Sequence, residues 1–512
     1  MKSHQYGFPI LDSSACRTMD AAVEAQTGLP LAVLMENAGR AVANASMEFD
    51  THRVLVAAGS GNNGGDGFVT ARILLARGVN VEVACVRPVD ELSGPAQMNA
   101  RRFLDEGGRV IPVKAANWSA ASLIIDAFLG TGFSGPVRPP VNGIISSINA
   151  VSAPVLSIDV PSGLASDDCA EPECAVKADM TIALGCYKPS LVHYPACGYA
   201  GEVRLADIGF PATVYPEPGE AVLSSAFVRS VLPRWSGDSH KGKRGRLLVV
   251  AGSRGMLGAA ALACEAATRA GAGLVYLACP EPLAPVFEAK LTNQVIRPVA
   301  SDDLPYFTPA SVDPICDMLA SVDAVAIGPG ISLNGESIDF TKALLPDIET
   351  PCVIDADGLN AIAEGAVPPA NSVLTPHPGE MSRLLRTSVD EIQNNRPASA
   401  RKAAALYSAV VALKGAHTVV AGTQEPAVVN LASDASLATA GSGDILTGII
   451  GALLAQGLTP FEAALAGVRW HGTAGVLAAS TKGATPGATD ILTLLGDARE
   501  EILNDDEMEY MA

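Results

Sequence analysis

The 512-residue sequence has no C-x-x-C pair, no surplus of basic residues, no short internal repeat and no low-complexity tract. Its 35 Lys and Arg face 54 Asp and Glu, a net charge of −19. Such an acid excess repels phosphate backbones and anionic lipid, so neither nucleic acid nor membrane is expected as a partner. A small anion held by local backbone donors stays open. The ten cysteines are scattered. The pair closest in sequence, Cys169 and Cys174, lies in an acidic stretch without histidines, which reads as free thiols of a reducing cytoplasm rather than zinc ligands. The opening MKSHQYGFPILDSS lacks the apolar run of a secretory signal. The most apolar helix candidate, Ile445 to Leu458, is too short for a bilayer and rich in glycine, so a soluble chain is expected.

What is present is core-forming material. Apolar residues make up 48% and charged residues 17%, enough for large cores, and the length suggests two or three domains. The stretches 53–58, 81–86, 122–129 and 154–160 read as fully buried strands, and FVTARILLARG and AQMNARRFLDEGG between them read as helices. Continuous apolar runs alternating with helices signal a parallel sheet covered on both faces. The style repeats at 245–252, 272–279, 322–330, 351–358 and 371–379. A β-rich stretch follows (VVALKGAHTVVAG, PAVVN), then a long helical tail. The proline-rich PATVYPEPGE interrupts both patterns. The expected organisation is two α/β domains, residues 1–217 and 226–512.

In the first domain, Gly59, Gly61, Gly64, Gly65 and Gly67 fall between a strand and a helix. Glycines there let backbone approach a ligand and leave helix amides open to phosphate. The spacing is neither a clean G-x-G-x-x-G nor a Walker loop, but Asn62, Asn63 and Asp66 inside it point to binding. Asp126 leads into a second glycine-rich loop, and Asp159-Val-Pro-Ser162-Gly163 follows the next strand. Open α/β sheets bind ligands at such strand ends. Asn63, Asp126 and Ser162 are hard oxygen donors suited to a cation. Taken singly, Asp126 and Asp159 read more readily as helix caps, and Lys188 as a solvated lysine. Three such loops on successive strands favour a site.

In the second domain, Gly441-Ser442-Gly443-Asp444 precedes a strongly apolar helix. Amides and dipole there stabilise a transferring phosphoryl group, and Asp444 is placed to take a proton from the attacking hydroxyl. Lys414 to Thr418 connects two strands and suits nucleotide phosphates or ribose. His377 sits between prolines before Glu380. Asp355 and Asp357 suit magnesium, directly or through water, or alternatively cap a helix.

The segments LMENAGRAVA, GNNGGDG, DAFLGTG with its following SG and R, and IDVPSG resemble the NAD(P)H-hydrate epimerase domain over roughly the first 215 residues. HKGKRGRLLVVAGS, GPGI, DADGLN, LTPHPGE, the KG–HT stretch and GSGD resemble the ribokinase-like superfamily, and within it the ADP- or ATP-dependent NAD(P)H-hydrate dehydratases, over about 226–500. The resemblance implies a Rossmann-like three-layer domain followed by a ribokinase-like α/β domain, together repairing hydrated NADH and NADPH. The first domain would exchange the R and S hydrates. The second would restore the S form at the expense of ADP or ATP, with magnesium. In the first domain Asn62, Asn63, Gly64, Gly65, Asp66, Gly130, Thr131, Gly132, Phe133, Ser134, Gly135, Pro136 and Asp159 would bind the hydrate. Asn63, Asp126 and Ser162 would hold potassium, and Asp159 with Lys188 would transfer protons. In the second, Ala260, Gly330, His377 and Asp444 would contact the hydrate. Lys414, Gly415, Ala416, His417, Thr418 and Gly443 would contact the adenine nucleotide. Leu257 stands where that family usually has proline. A small-molecule kinase fused to a nucleotide-binding domain, and a non-catalytic nucleotide sensor, are the rival readings. A homo-oligomer is compatible with the sequence, which does not settle the oligomeric state.

Overall fold

The computed structural model describes residues 5–238, 240–483 and 485–505. Its contacts divide between Gly219 and Glu220 into two compact units.

The first unit is built on a parallel sheet. Its strands lie in the order Arg109–Pro112, Val81–Cys85, Val54–Ala58, Leu123–Ala127, Val155–Ile158, Met180–Leu184 and Glu202–Ala206. The apolar runs have no polar face because both faces are covered. Along Val54–Ala58, Val54, Val56 and Ala58 enter one core with Phe68 and Phe103, while Leu55 and Ala57 enter another with Trp118 and Ile145. That alternation is the period of two of a strand. Removing one such aromatic, Phe68→Ala, costs about 3–5 kcal/mol.

Winding reverses between Val54–Ala58 and Leu123–Ala127, the place where an open α/β sheet leaves a crevice at its strand ends. One expectation needs correcting there. Asn62 to Gly67 is not a loop: the helix Asn62–Ala76 begins at Asn62. Packing explains its glycines. A Cβ on Gly64 would meet the Gly59 carbonyl oxygen at 2.0 Å, and one on Gly67 would meet Ala127 Cβ at 2.7 Å, whereas Gly61 faces open space.

The sheet of the second unit runs Glu220–Leu223, Ala427–Val429, Val419–Ala421, Val410–Leu413, Ser372–Leu374, Cys352–Ile354, Ala324–Ile327, Arg246–Val250, Leu274–Pro280 and Val295–Val299. Val419–Ala421 is antiparallel to both its neighbours. Glu220–Leu223 pairs in parallel with Ala427–Val429, so this unit takes in residues that the sequence reading left between domains. Four residues after a proline- and glycine-rich stretch are too few to show a period. The apolar helix Ser442–Ala455 packs on Leu257–Arg269 with Gly448 at the contact. A Cβ on Gly448 would meet the Ala263 carbonyl oxygen at 2.2 Å. No helix among the described residues is long and apolar enough to cross a membrane.

Candidate active sites

In the first unit the loops at the reversal converge. Asn63 donates from Nδ2 to the Leu129 carbonyl at 2.7 Å, while its Oδ1 is buried without a hydrogen-bond partner. Asp126 is fully buried and accepts from Ser157 Oγ at 3.0 Å, from Ser162 N at 2.7 Å and from Ser162 Oγ at 2.5 Å. Burial raises its pKa, against the hydrogen bonds from Ser162, Ser157 and Phe128 that favour the carboxylate. Asp126 therefore ties two loops together and caps no described helix. An orphaned amide oxygen, a carboxylate and a hydroxyl oxygen form a donor set that suits a hard cation.

Asp159 follows on the next strand with φ 67, a left-handed conformation that costs a non-glycine residue energy and marks functional positions. Its Oδ1 accepts from Leu184 N at 3.1 Å and from the Lys188 ammonium. Lys188 also donates to the carbonyls of Leu184 at 2.9 Å and Cys186 at 3.1 Å, so its three donors are used. With its side chain 2% exposed, Lys188 is no solvated surface residue. Burial pulls its pKa down, but Asp159 and the neighbouring thiols outweigh that and hold it above the usual value. Asp66 and Asp20 face the same pair. Burial raises both their pKa values and the Asp159 charge adds to it, most strongly for the deeply buried Asp66. Gly132, Ser134, Gly135 and Pro136 lie exposed in the loop after Leu123–Ala127, with Gly130, Thr131 and Phe133 half-buried among them.

In the second unit, the strand ends beside Ala324–Ile327 gather charge. Asp355 is buried, with Oδ1 2.6 Å from Lys414 Nζ and Oδ2 accepting from Thr447 Oγ1 at 2.8 Å. It caps no helix, the N-cap of Asp357–Ala363 being Ala356. Ala356, at φ 49 and ψ −117, carries the strain that turns Asp355 and Asp357 apart. Asp357 accepts from Ser332 N at 2.9 Å. Among the described residues no group of three or more His, Cys, Asp or Glu side chains could hold a metal. Magnesium needs no such group, since it is usually held by one or two carboxylates together with substrate phosphates.

Lys414 reaches inward rather than along its loop. Its ammonium lies 4.0 Å from Glu380, and a Cβ on Gly443 would meet it at 3.2 Å. Asp444 stands in the first turn of Ser442–Ala455. Burial first, then Asp355, Asp357 and Glu380, push its pKa up to about 7, with Lys414 opposing. His377 caps the helix Pro378–Leu385, its Nδ1 accepting from Gly379 N at 3.0 Å, and Glu380 returns a bond to the His377 amide at 2.7 Å. Nδ1 is thereby an acceptor and Nε2 the protonated nitrogen, 3.5 Å from Glu380 Oε1. Burial and Lys414 hold its pKa below the usual value. Gly415 to Thr418 form the connection between Val410–Leu413 and Val419–Ala421. Ala260 and Gly330 are both packed inside the fold. Ala260 is fully buried in Leu257–Arg269, and Gly330 is packed against Met256. Gly258 is exposed at the start of that helix.

Sequence reasoning missed several partners. His471, on Pro460–Lys482, meets Ser442 Oγ with Nε2 at 2.9 Å, and burial, with Lys414, lowers its pKa to about 4. A neutral histidine therefore fixes the hydroxyl beside Asp444. Arg396 is buried and donates to the carbonyls of Leu413 at 2.9 Å and Lys414 at 3.2 Å, beneath Gly415. Thr447 and Asp20 complete the set. The period of Thr447, three residues past Asp444 on one helix face, is the one signal available for any of them.

Two family patterns match the chain: NAD(P)H-hydrate dehydratase over residues 247–496, and the YjeF-related protein N-terminus over 31–190. A bifunctional NAD(P)H-hydrate repair enzyme from Moorella thermoacetica is 38% identical over 486 residues, covering 91% of both chains. A protein of the same name from Escherichia coli is 36% identical, covering 91% of this chain and 89% of its own. A ribokinase-like superfamily protein from Enterococcus faecalis superposes with a TM-score of 0.50 at 23% identity, covering 56% of this chain and 98% of its own. That likeness concerns the fold.

Proposed function

Because the chain belongs to the bifunctional NAD(P)H-hydrate repair enzymes, an epimerase joined to a dehydratase, we propose that its two reactions run on the two clusters just described. In the first unit the hydrate lies at the sheet reversal, against Asn62 to Asp66, Gly130 to Pro136 and Asp159. Configuration at the hydroxyl-bearing ring carbon changes only if a bond to that carbon opens and closes on the other face. Asp159 removes and returns the hydroxyl proton in that cycle. Lys188, saturated by three acceptors, keeps Asp159 oriented rather than carrying the proton itself. Asn63, Asp126 and Ser162 would hold potassium, which would supply fixed positive charge in the site.

In the second unit the S hydrate and an adenine nucleotide, ADP or ATP, meet above Gly441 to Asp444. The helix amides receive the phosphoryl group, and Asp444 takes the proton of the ring hydroxyl as it attacks. The C–O bond then breaks, phosphate leaves with that electron pair, and the adjacent ring carbon gives up a proton to solvent as the double bond returns. Lys414 Nζ balances charge at the reaction centre, while Gly415 to Thr418 and Gly443 contact the nucleotide. Gly330 and the Ala260 segment line the hydrate side with His377. The observation that carries this reading is Asp444, raised to about 7 on a helix N-terminus, the value a general base needs near neutrality. Magnesium is proposed to enter with the nucleotide. The ten free thiols suit a reducing compartment, and the repair is proposed for the cytoplasm. Asp444→Asn tests the assignment. It should abolish nucleotide-dependent recovery of nicotinamide absorbance and leave epimer exchange intact. Retained recovery would reject it, and a stable phosphorylated product from the unaltered protein would turn the reading toward a kinase.

A further inference from the structure

We infer that Cys16 and Cys186 form an oxidation site for hydroperoxides, closing to a disulfide that stops epimer exchange while leaving the second unit active. The inference rests on the placement of epimer exchange at Asp159 and Lys188. The two sulfurs lie 3.5 Å apart although 170 residues separate them in sequence. Backbone geometry sets that distance. Leu11 N donates to the Tyr187 carbonyl at 2.9 Å and Tyr187 N to the Pro9 carbonyl at 3.1 Å, stapling the start of helix Ser13–Thr27 to the turn that carries Cys186. Cys16 is half-buried and gives solvent its approach, with Cys186 behind it, 2% exposed.

The turn holding Cys186 also holds the lysine. Cys186 O accepts from Lys188 Nζ at 3.1 Å, two residues on. The ammonium is therefore near the sulfur as well. The Cys186 pKa is lowered chiefly by the hydrogen bond from Cys16, against its burial, with Lys188 assisting. Thiolate character at a cationic site is what peroxide chemistry selects. The Cys186 sulfur attacks one peroxide oxygen, the O–O bond breaks, and the departing oxygen leaves as water after taking a proton. The Cys16 sulfur then displaces the sulfenic oxygen, which leaves as a second water. Two thiols lose two electrons and two protons, and one hydrogen peroxide becomes two waters. A disulfide needs about 2.05 Å between sulfurs, so the pair must close from 3.5 Å. The Cys186 side of that movement falls on the carbonyls that hold Lys188 against Asp159.

The test uses the full chain with hydrogen peroxide as oxidant, then catalase, with both reactions assayed and peptides mapped under non-reducing conditions. Expected are a Cys16–Cys186 linked peptide, epimer exchange down tenfold or more and restored by dithiothreitol, and unchanged nucleotide-dependent dehydration of the S hydrate. Cys16→Ser should keep untreated exchange and resist peroxide. If that variant does not fold, the linked peptide and the reductant reversal in the unaltered protein decide. Absence of the linked peptide, a linked peptide with full exchange, or equal loss in a folded Cys16→Ser would overturn the inference. Absence of exchange before any peroxide would instead overturn the first-site assignment on which it rests.

Discussion

In the first unit the polar side chains run from Asn63 and Asp126 at the sheet reversal out to Asp159 and Lys188, a lysine whose every donor is engaged. In the second they stand beyond the reversal, past Ala324–Ile327, where Asp355, Asp357, Glu380 and Asp444 crowd a single lysine. Both units follow the rule that ligands bind at the carboxyl ends of parallel strands. Carboxylates outnumber the lysine in both, and the difference lies in how the lysine is held. Lys188 is enclosed by Asp159 and two backbone carbonyls, which use all three of its donors. In the second cluster burial, with Asp355, Asp357 and Glu380, raises Asp444 to about 7. A similar sheet thus yields a buried ion pair in one half and an acid raised toward neutrality in the other.

The largest effect that would sharpen this contrast comes from exchanging the two acids. Asp444→Asn should lower nucleotide-dependent dehydration roughly 100- to 10,000-fold, and Asp159→Asn should do the same to epimer exchange. Each should spare the other reaction, and a variant that lost both would break the separation. Lys188→Met leaves a buried carboxylate without its partner. It should cost about 3–5 kcal/mol, read as an earlier unfolding transition of the first unit by calorimetry. An unchanged transition would mean the pair is not held as described.

The next effect is one of pH. Dehydration needs Asp444 unprotonated, so its kcat/KM should rise as pH increases through about 7. Lys414 lowers the Asp444 pKa, so Lys414→Met should move that acid limb to higher pH, and an unmoved limb would deny Lys414 its place. Asn63→Ala removes one oxygen from the proposed cation site. It should raise the potassium needed for half-maximal exchange about tenfold, near 1.4 kcal/mol, with dehydration untouched. The smallest effect is expected at His471. His471→Leu strands the Ser442 hydroxyl, at about 1–3 kcal/mol, and His471→Gln, which can still accept that bond, should recover much of the loss.

Much of both folds was legible because buried parallel strands write themselves as apolar runs. The stretches 53–58, 81–86, 122–129 and 154–160 contain Val54–Ala58, Val81–Cys85, Leu123–Ala127 and Val155–Ile158. Glu220–Leu223 was not legible, since four residues carry no usable period. Polar residues at strand ends and helix starts, such as Asn63, Asp126, Ser162, Lys414 and Asp444, announced themselves through glycine-rich context. Their partners did not. His471 lies inside a long apolar helix, Thr447 and Arg396 look like ordinary helical residues, and Cys16 meets Cys186 only through the fold. Sequence distance drew attention to Cys169 and Cys174, whereas backbone pairing at Tyr187 brought together a different two. Glycines misled in the other direction. Several in the first motif serve helix–strand packing, and only the structure separates Gly61, open to a ligand, from Gly64 and Gly67.

The central claim is that one chain carries two separately placed reactions in series. Recovery of nicotinamide absorbance from a mixed-epimer hydrate, with ADP or ATP, magnesium and potassium, tests it most directly in Asp159→Asn. The account predicts a fast phase that ends when the S form is consumed, and full fast recovery once Asp444→Asn protein is added to supply epimer exchange. Complete fast recovery by Asp159→Asn alone would contradict it.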